Sequence, residues 1–233
     1  MEFRRPGWLP DEIACAGREN LDPAHVARYD RKMDAAGPAE VDLLRGYGLS
    51  ERSTVVEFGA GTGQFTIAAA PHCARIVAVD VSTAMLDRLA EKLAAAGLRN
   101  VTPAHAGFLS YRHDGPAADM VYSRFALHHL PDAWKAVALA RIRAILSPGG
   151  IFRLWDVVYD FPPGEACERL EAWCASGGGT VEGEWSRREI EEHVRDEHST
   201  FSWLLDAMLA RAGFETLTVA RSLFESRYLL RAR

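Results

Sequence analysis

Short apolar runs alternate with longer amphipathic stretches through the middle of the chain. Thr54-Val-Val-Glu-Phe58 is β-branched, apolar and closed by glycines, which predicts a buried strand. Residues 63–71 read as a helix, and Arg75-Ile-Val-Ala-Val-Asp80 as a second buried strand. Ser82-Thr83 is a good helix N-cap; the helix it opens, residues 84–96, stops at Gly97. Residues 100–104 predict a third strand, Asp119-Met-Val-Tyr-Ser123 a fourth and Ile151-Phe-Arg-Leu-Trp155 a fifth. Between the last two, residues 134–146 form a helical pattern ended by Ser147-Pro-Gly-Gly150. Strands alternating with helices imply an α/β fold, a mostly parallel sheet covered on both faces. Right-handed crossovers make it doubly wound. Residues 216–219 and 228–230 look like final strands. They lie too close together for a helical crossover and pair most simply as an antiparallel hairpin at one edge.

The flanks differ in texture. Residues 1–50 are polar with short helical patterns such as 38–47, which predicts an N-terminal helical cap. The expected organisation is this cap, a core over 51–156, a mostly helical lid over 157–212 and a closing hairpin over 213–233, all in one domain. The 233 residues are 48% hydrophobic and 25% charged, as in globular proteins. Lys and Arg total 27 against 32 Asp and Glu, a net charge of -5, and no basic stripe is present, which argues against nucleic acid as a partner. The best apolar run, residues 133–146, is broken by Lys135, Arg141 and Arg143, so no membrane span is expected. The first ten residues carry two arginines with no apolar run behind them, unlike a secretory signal. Cys15, Cys73, Cys167 and Cys174 form no CxxC pair and suit a reduced, cytoplasmic chain, monomeric or homodimeric.

Candidate chemistry concentrates after the first strand, in Glu57-Phe-Gly59-Ala-Gly61-Thr-Gly63. These glycines fall at every second position, unlike the GxGxxG of dinucleotide binders. They let the backbone turn sharply and approach a ligand closely. In an open α/β sheet this loop sits at the carboxyl end of its strand, where ligands bind. Glu57 would repel a pyrophosphate but suits an ammonium group, which points to an amino-acid-bearing ligand. Asp80 ends the second strand, 17 residues after Gly63, where a carboxylate can accept both ribose hydroxyls.

These motifs resemble those of the class I S-adenosylmethionine-dependent methyltransferases, the type of small bacterial enzyme that acts on small molecules. The resemblance runs from about Val55 to Trp155, with weaker similarity through the C-terminal strands. It is carried by Val55-Val-Glu-Phe-Gly-Ala-Gly-Thr-Gly-Gln-Phe-Thr66, Val77-Ala-Val-Asp-Val-Ser-Thr-Ala-Met-Leu86, Asp119-Met-Val-Tyr-Ser-Arg-Phe-Ala-Leu-His-His-Leu-Pro-Asp132 and Leu146-Ser-Pro-Gly-Gly-Ile-Phe-Arg-Leu-Trp-Asp156. It implies a Rossmann-like seven-stranded sheet with an antiparallel last strand. It implies S-adenosyl-L-methionine as cofactor and S-adenosyl-L-homocysteine as product. Glu57, Gly59, Ala60 and Gly61 would frame the methionine moiety, Asp80 the ribose and Val81 the adenine, with Ser123 and Arg124 at the methionine end. The sequence departs from the family after the third strand. There an acidic residue often meets the adenine amino group, and here Gly107 stands, followed by Phe108. Backbone near these two could read the adenine edge, with the Phe108 ring covering it.

In-line methyl transfer needs a base only when the nucleophile is protonated. His128 and His129, after the fourth strand, are the candidates. No metal is expected from this pair, since adjacent residues rarely face one ion and no third ligand is evident. Residues 182–203 suggest a lid hinged at Gly177-Gly-Gly179, with Glu189, His193, Asp196 and Glu197 on one helical side. Between Asp160 and Thr200 stand 11 acidic residues and four arginines, which suits a cationic acceptor. Arg195 and His198 are lid candidates for substrate contact, Tyr29 for closing over the site, and Trp155, Trp173, Trp185 and Trp203 for an apolar wall. The expectation is a methyltransferase acting on a small molecule. The alternatives are a non-catalytic cofactor-binding scaffold of the same fold and an NAD-dependent oxidoreductase.

Overall fold

β-branched residues fill the first two strands because these are covered on both faces. In β1 (Thr54–Phe58) and β2 (Arg75–Asp80), every residue after the first is buried. The computed structural model describes residues 6–17, 20–22, 26, 36–178 and 185–233; Tyr29 lies outside them. With β3 (Val101–His105), β4 (Ala118–Arg124), β5 (Leu146–Tyr159), β7 (Phe214–Arg221) and β8 (Glu225–Ala232), the strands run in the order β3-β2-β1-β4-β5-β8-β7. The first five are parallel, with Val55 opposite Ile76 on one side and Val56 opposite Val121 on the other. The last strand is antiparallel to β5 and to β7. The expected seven-stranded sheet and hairpin are both present. It is β7 that forms the edge, while β8 inserts beside β5.

β5 runs well past the expected 151–155 in both directions. Its first residues already pair with Ala118, and its far end is lengthened by β6 (Thr200–Phe201), which pairs in parallel with Val158 and Tyr159. Strand direction and partners, available only in three dimensions, set that length.

Helices cover the sheet as the pattern requires. In α4 (Thr83–Ala96), Ser82 accepts the Met85 N–H at 3.2 Å and Gly97 ends the helix with φ 66°; Met85, Leu86, Leu89 and Leu93 face inward. α3 (Gln64–Ala69) and α5 (Asp132–Ile145) bury Phe65 and Ala69, and Ala138, Leu139 and Ile142. Before the sheet lie α1 (Glu12–Cys15) and α2 (Gly37–Arg45), close to the predicted 38–47. α2 is tied to the sheet by a buried bidentate pair, in which Arg153 donates to Glu40 at 2.7 and 2.8 Å. α6 (Ala166–Ser176), α7 (Arg187–Asp196) and α8 (Ser202–Arg211) follow β5. No described helix is long and apolar enough to cross a membrane.

The hinge expectation needs correction where it can be tested. Gly178 bridges to Ser186, and a Cβ on Gly177 would lie 2.5 Å from the Arg187 nitrogen. Gly177 is therefore a close-packing residue between α6 and α7. Gly179 lies outside the described residues.

Candidate functional site

The strand order reverses between β1 and β4, so the loops after them diverge and open a crevice at the carboxyl ends of the strands. The loop after β1 turns through positive φ at Gly59 (70°) and Gly61 (52°), a region costly for residues with a Cβ. A Cβ on Gly59 would also collide with that of Ala126, at 2.3 Å. The Gly59 and Ala60 N–H groups donate to the Val79 carbonyl at 2.9 and 3.1 Å, which ties the loop to β2.

Two carboxylates stand behind this loop. Asp80 accepts the Gly61 N–H on Oδ2 and the Ser82 N–H on Oδ1, both at 2.8 Å. Burial raises its pKa, while these N–H groups and His105 act to lower it. Glu57 is buried at 4% exposure, and Thr66 Oγ1 donates to its Oε2. Burial pushes its pKa up to about 8, against the Thr66 hydrogen bond and with a contribution from Asp80. A buried carboxylate that retains a proton is poised to exchange it for a cationic ligand group.

The crevice has two lobes. The larger encloses ≈ 660 Å³ up to its open mouth and is lined by Phe58, Asp80, Val81, Gly107, Phe108 and His129, among others. The smaller, ≈ 420 Å³, is lined by Glu57, Ala60, Thr62, Gln64 and Tyr122. Gly59, Gly61 and Arg124 line both. A ligand lying across the loop would thus meet Asp80 at one end and Glu57 at the other. Arg124 stands over the Trp155 ring at 3.9 Å. Ser123 is fully buried, lines neither lobe, and its Oγ has no partner among the described residues. Phe125, in the larger lobe, has φ 49°, the only positive value at a described non-glycine residue.

A carboxylate is present at Gly107 after all, supplied by a residue that the sequence reading did not single out. Both oxygens of Glu12, in α1, sit where a side chain at 107 would be, 2.3 and 2.8 Å from a Cβ built there. Glu12 accepts from Leu109 N–H (2.8 Å), Ser110 N–H (3.0 Å) and Ser110 Oγ–H (2.7 Å), and it lines the larger lobe. A carboxylate offers about four acceptor positions, so one remains. Phe108 stacks on Phe58 at 4.9 Å beside it.

The histidine pair divides. His129 lines the larger lobe, while His128 is buried behind it. His128 stands between two carboxylates: its Nδ1 lies 2.5 Å from Asp156 Oδ1 and its Nε2 lies 2.9 Å from Glu197 Oε2. Burial acts to lower the His128 pKa, but the two carboxylates more than offset it and hold the imidazolium up to about 10. His129 is pushed down to about 3 by burial and by its cationic neighbour. Burial acts to raise Glu197, and the adjoining His128 and His193 rings reverse this and hold it well below the usual carboxylate range. The expectation that no third ligating group accompanies the histidines is therefore corrected, since α7 delivers His193 and the residue after it delivers Glu197.

The other lid candidates are placed differently. Glu189 closes a capping box with Ser186, and Asp196 pairs with Arg195 on the surface, so neither shares the inward side with His193 and Glu197. Arg195 and His198 are exposed and are not among the described residues lining the cleft. Trp155 is buried between the Arg124 and Arg227 guanidiniums, Trp173 stacks on Phe224, and Trp185 and Trp203 are exposed; no described tryptophan lines the cleft.

Known proteins place this geometry in context. A methyltransferase-domain family profile matches residues 55–150. An uncharacterized methyltransferase of Geobacillus kaustophilus is 30% identical over 152 residues, which is 61% of this chain and 69% of the relative. The fold resembles that of a SAM-dependent methyltransferase from Aquifex aeolicus, with TM-score 0.63 and 16% identity over 91% of this chain and 99% of that one. It also resembles the [4+2]-cyclase SpnF, with TM-score 0.69 and 15% identity over 96% of both chains.

Proposed function

The chain belongs to the class I S-adenosylmethionine-dependent methyltransferases, and from that premise we propose that it methylates a small-molecule acceptor held over the crevice. One observation carries the reading: a single loop, Gly59 to Gly61, separates a buried Asp80 from a buried, proton-retaining Glu57. The cofactor presents ribose hydroxyls at one end and an ammonium at the other, and this pair of carboxylates fits both.

Bound there, S-adenosylmethionine supplies an electrophilic methyl on a sulfonium. Asp80 accepts the ribose hydroxyls, with its remaining lone pairs free of Gly61 and Ser82. Glu57 takes the ammonium, directly or through water, and Arg124 lines the same end. Ser123, buried beneath Arg124, supports that end from behind. Val81 and Phe108 cover the adenine faces, while Glu12 takes the amino group in place of a side chain at Gly107. His129 is in acceptor form at neutral pH and lies in the cleft, where it orients the acceptor's proton. Its depressed pKa makes it a weak base, so alignment supplies most of the acceleration. His128 positions His129 from behind. Residues 157–212 act as the lid, and their acidic excess favours a cationic acceptor.

Calorimetric titration with S-adenosylhomocysteine, with NAD as control, tests the reading. Micromolar binding of the former alone is expected, and Asp80→Ala should weaken it by about 1–3 kcal/mol through lost charged hydrogen bonds. Failure of wild type to bind, or an unchanged affinity in the variant, would overturn the assignment. Amines and thiols are the first acceptors to screen.

A further inference from the structure

We propose that His128, His193 and Glu197 form a binding site for a divalent transition-metal ion of the zinc type, which ties α7 to the core beside the cleft. His128 Nε2, His193 Nδ1 and a Glu197 carboxylate oxygen all lie within 4.8 Å of one another. They reach this point from two separate elements: the turn after β4 supplies one donor, and α7 with its C-terminal neighbour supplies two.

Several features distinguish the cluster from an ordinary hydrogen-bonded network. Two imidazole nitrogens and one carboxylate oxygen are a donor set that zinc and its first-row neighbours select. Each imidazole is oriented through its other nitrogen, as metal-bound histidines usually are. His128 Nδ1 meets Asp156 Oδ1 at 2.5 Å and His193 Nε2 meets Ser199 Oγ at 2.9 Å. Asp156 is itself held, accepting the His128 main-chain N–H at 3.0 Å. The inward nitrogens are thus directed at a common point.

Glu197 Oε2 is a further sign. It lies 2.9 Å from His128 Nε2 and 2.5 Å from His193 Nδ1, so both nitrogens converge on one largely buried carboxylate oxygen. His129 Nδ1 is buried without a hydrogen-bond partner and lies 4.0 Å from the same oxygen. His129 lines the cleft beside the proposed site. Charge agrees as well: Asp156 and Glu197 bring two negative charges into a buried site, and binding a dication releases the proton that they share with His128.

The test uses the full chain, stripped with a chelator and dialysed, and does not depend on turnover. Co²⁺ is titrated first as a spectroscopic probe, then displaced with Zn²⁺, with elemental analysis of the dialysed product. One equivalent per chain is expected, with the visible band of four- or five-coordinate cobalt on nitrogen and oxygen, lost on adding Zn²⁺. Zn²⁺ should also raise the thermal midpoint. The double variant His193→Ala/Glu197→Gln should lose about 100-fold or more in affinity, and Asp156→Asn about 10- to 100-fold. Circular dichroism and S-adenosylhomocysteine binding report whether the variants fold. Absence of stoichiometric binding by wild type would overturn the proposal, as would an unchanged cobalt spectrum in the folded double variant. A thiolate charge-transfer band in wild type would do the same without any variant, since it would place the ion on cysteine.

Discussion

Glu57 holds a proton that the unfolded chain would release, and this has a sign. Its pKa is about 8 when folded and near 4.5 otherwise. Below about pH 4.5 both states are protonated, and above about 8 both are ionised. Between these limits the folded state binds more protons, so its stability falls as pH rises. Glu57→Gln should flatten that fall, with a gain on the order of a few kcal/mol over wild type at pH 8 and little at pH 4, read from urea midpoints. An arriving ammonium should likewise expel the proton, so the heat of S-adenosylhomocysteine binding at pH 7 should vary with buffer ionisation enthalpy in wild type and not in the variant. Glu12 gives a complementary exchange. Glu12→Ala should weaken S-adenosylhomocysteine by about 1–3 kcal/mol, as loss of a charged hydrogen bond does. Gly107→Asp alone should also be impaired, because the new side chain collides with Glu12. The double variant should recover affinity; failure to do so in calorimetry would separate the two positions. Glu57 and Asp80 were legible because each sits at a strand end, next to glycines whose spacing is local. Glu12 was not: its partners lie 97 and 98 residues away, and only the gap at Gly107 hinted that a carboxylate must come from elsewhere.

Among elements, a buried ion pair joins α2 to β5, beside an apolar cluster that holds Val41, Leu44 and Ile151. Glu40 and Arg153 are 6% and 5% exposed. Removing one partner strands the other charge away from water, so Glu40→Gln should cost about 3–5 kcal/mol in thermal or urea unfolding. Glu40→Leu/Arg153→Met should regain most of it, since packed apolar side chains replace such pairs with little loss. Neither residue announces this in sequence, for Arg153 interrupts a strand pattern and Glu40 sits in a polar stretch. Strand and helix periods exposed β1, β2 and α4 well, because both faces or one full stripe of each is buried. α7 shows the limit of such patterns. Its charges recur at three- and four-residue spacing all round, so spacing alone could not say that His193 and Glu197 turn inward while Glu189 caps and Asp196 faces solvent.

At the scale of the molecule, the sheet dictates where chemistry can occur. Reversal of strand order between β1 and β4 opens a crevice at their carboxyl ends, and the first three motifs recognisable in sequence contribute to its lining. What covers the crevice is built from segments whose order is set by tertiary contact, which is why lid residues were the hardest to read. A fold shared with a cyclase as well as a methyltransferase leaves the acceptor to those covering segments rather than to the sheet. The seat of Glu12 gives this division a thermal consequence. Asp80, the proposed ribose acceptor, ends β2, a strand paired on both sides within the sheet. The carboxylate beside Gly107 behaves as an intramolecular ligand, a guest of its own chain that docks through three hydrogen bonds from a four-residue helix. Its departure is a local opening, far less costly than global unfolding. On warming, therefore, the proposed adenine contact of Glu12 should be lost before the proposed ribose contact of Asp80, while the protein is still folded.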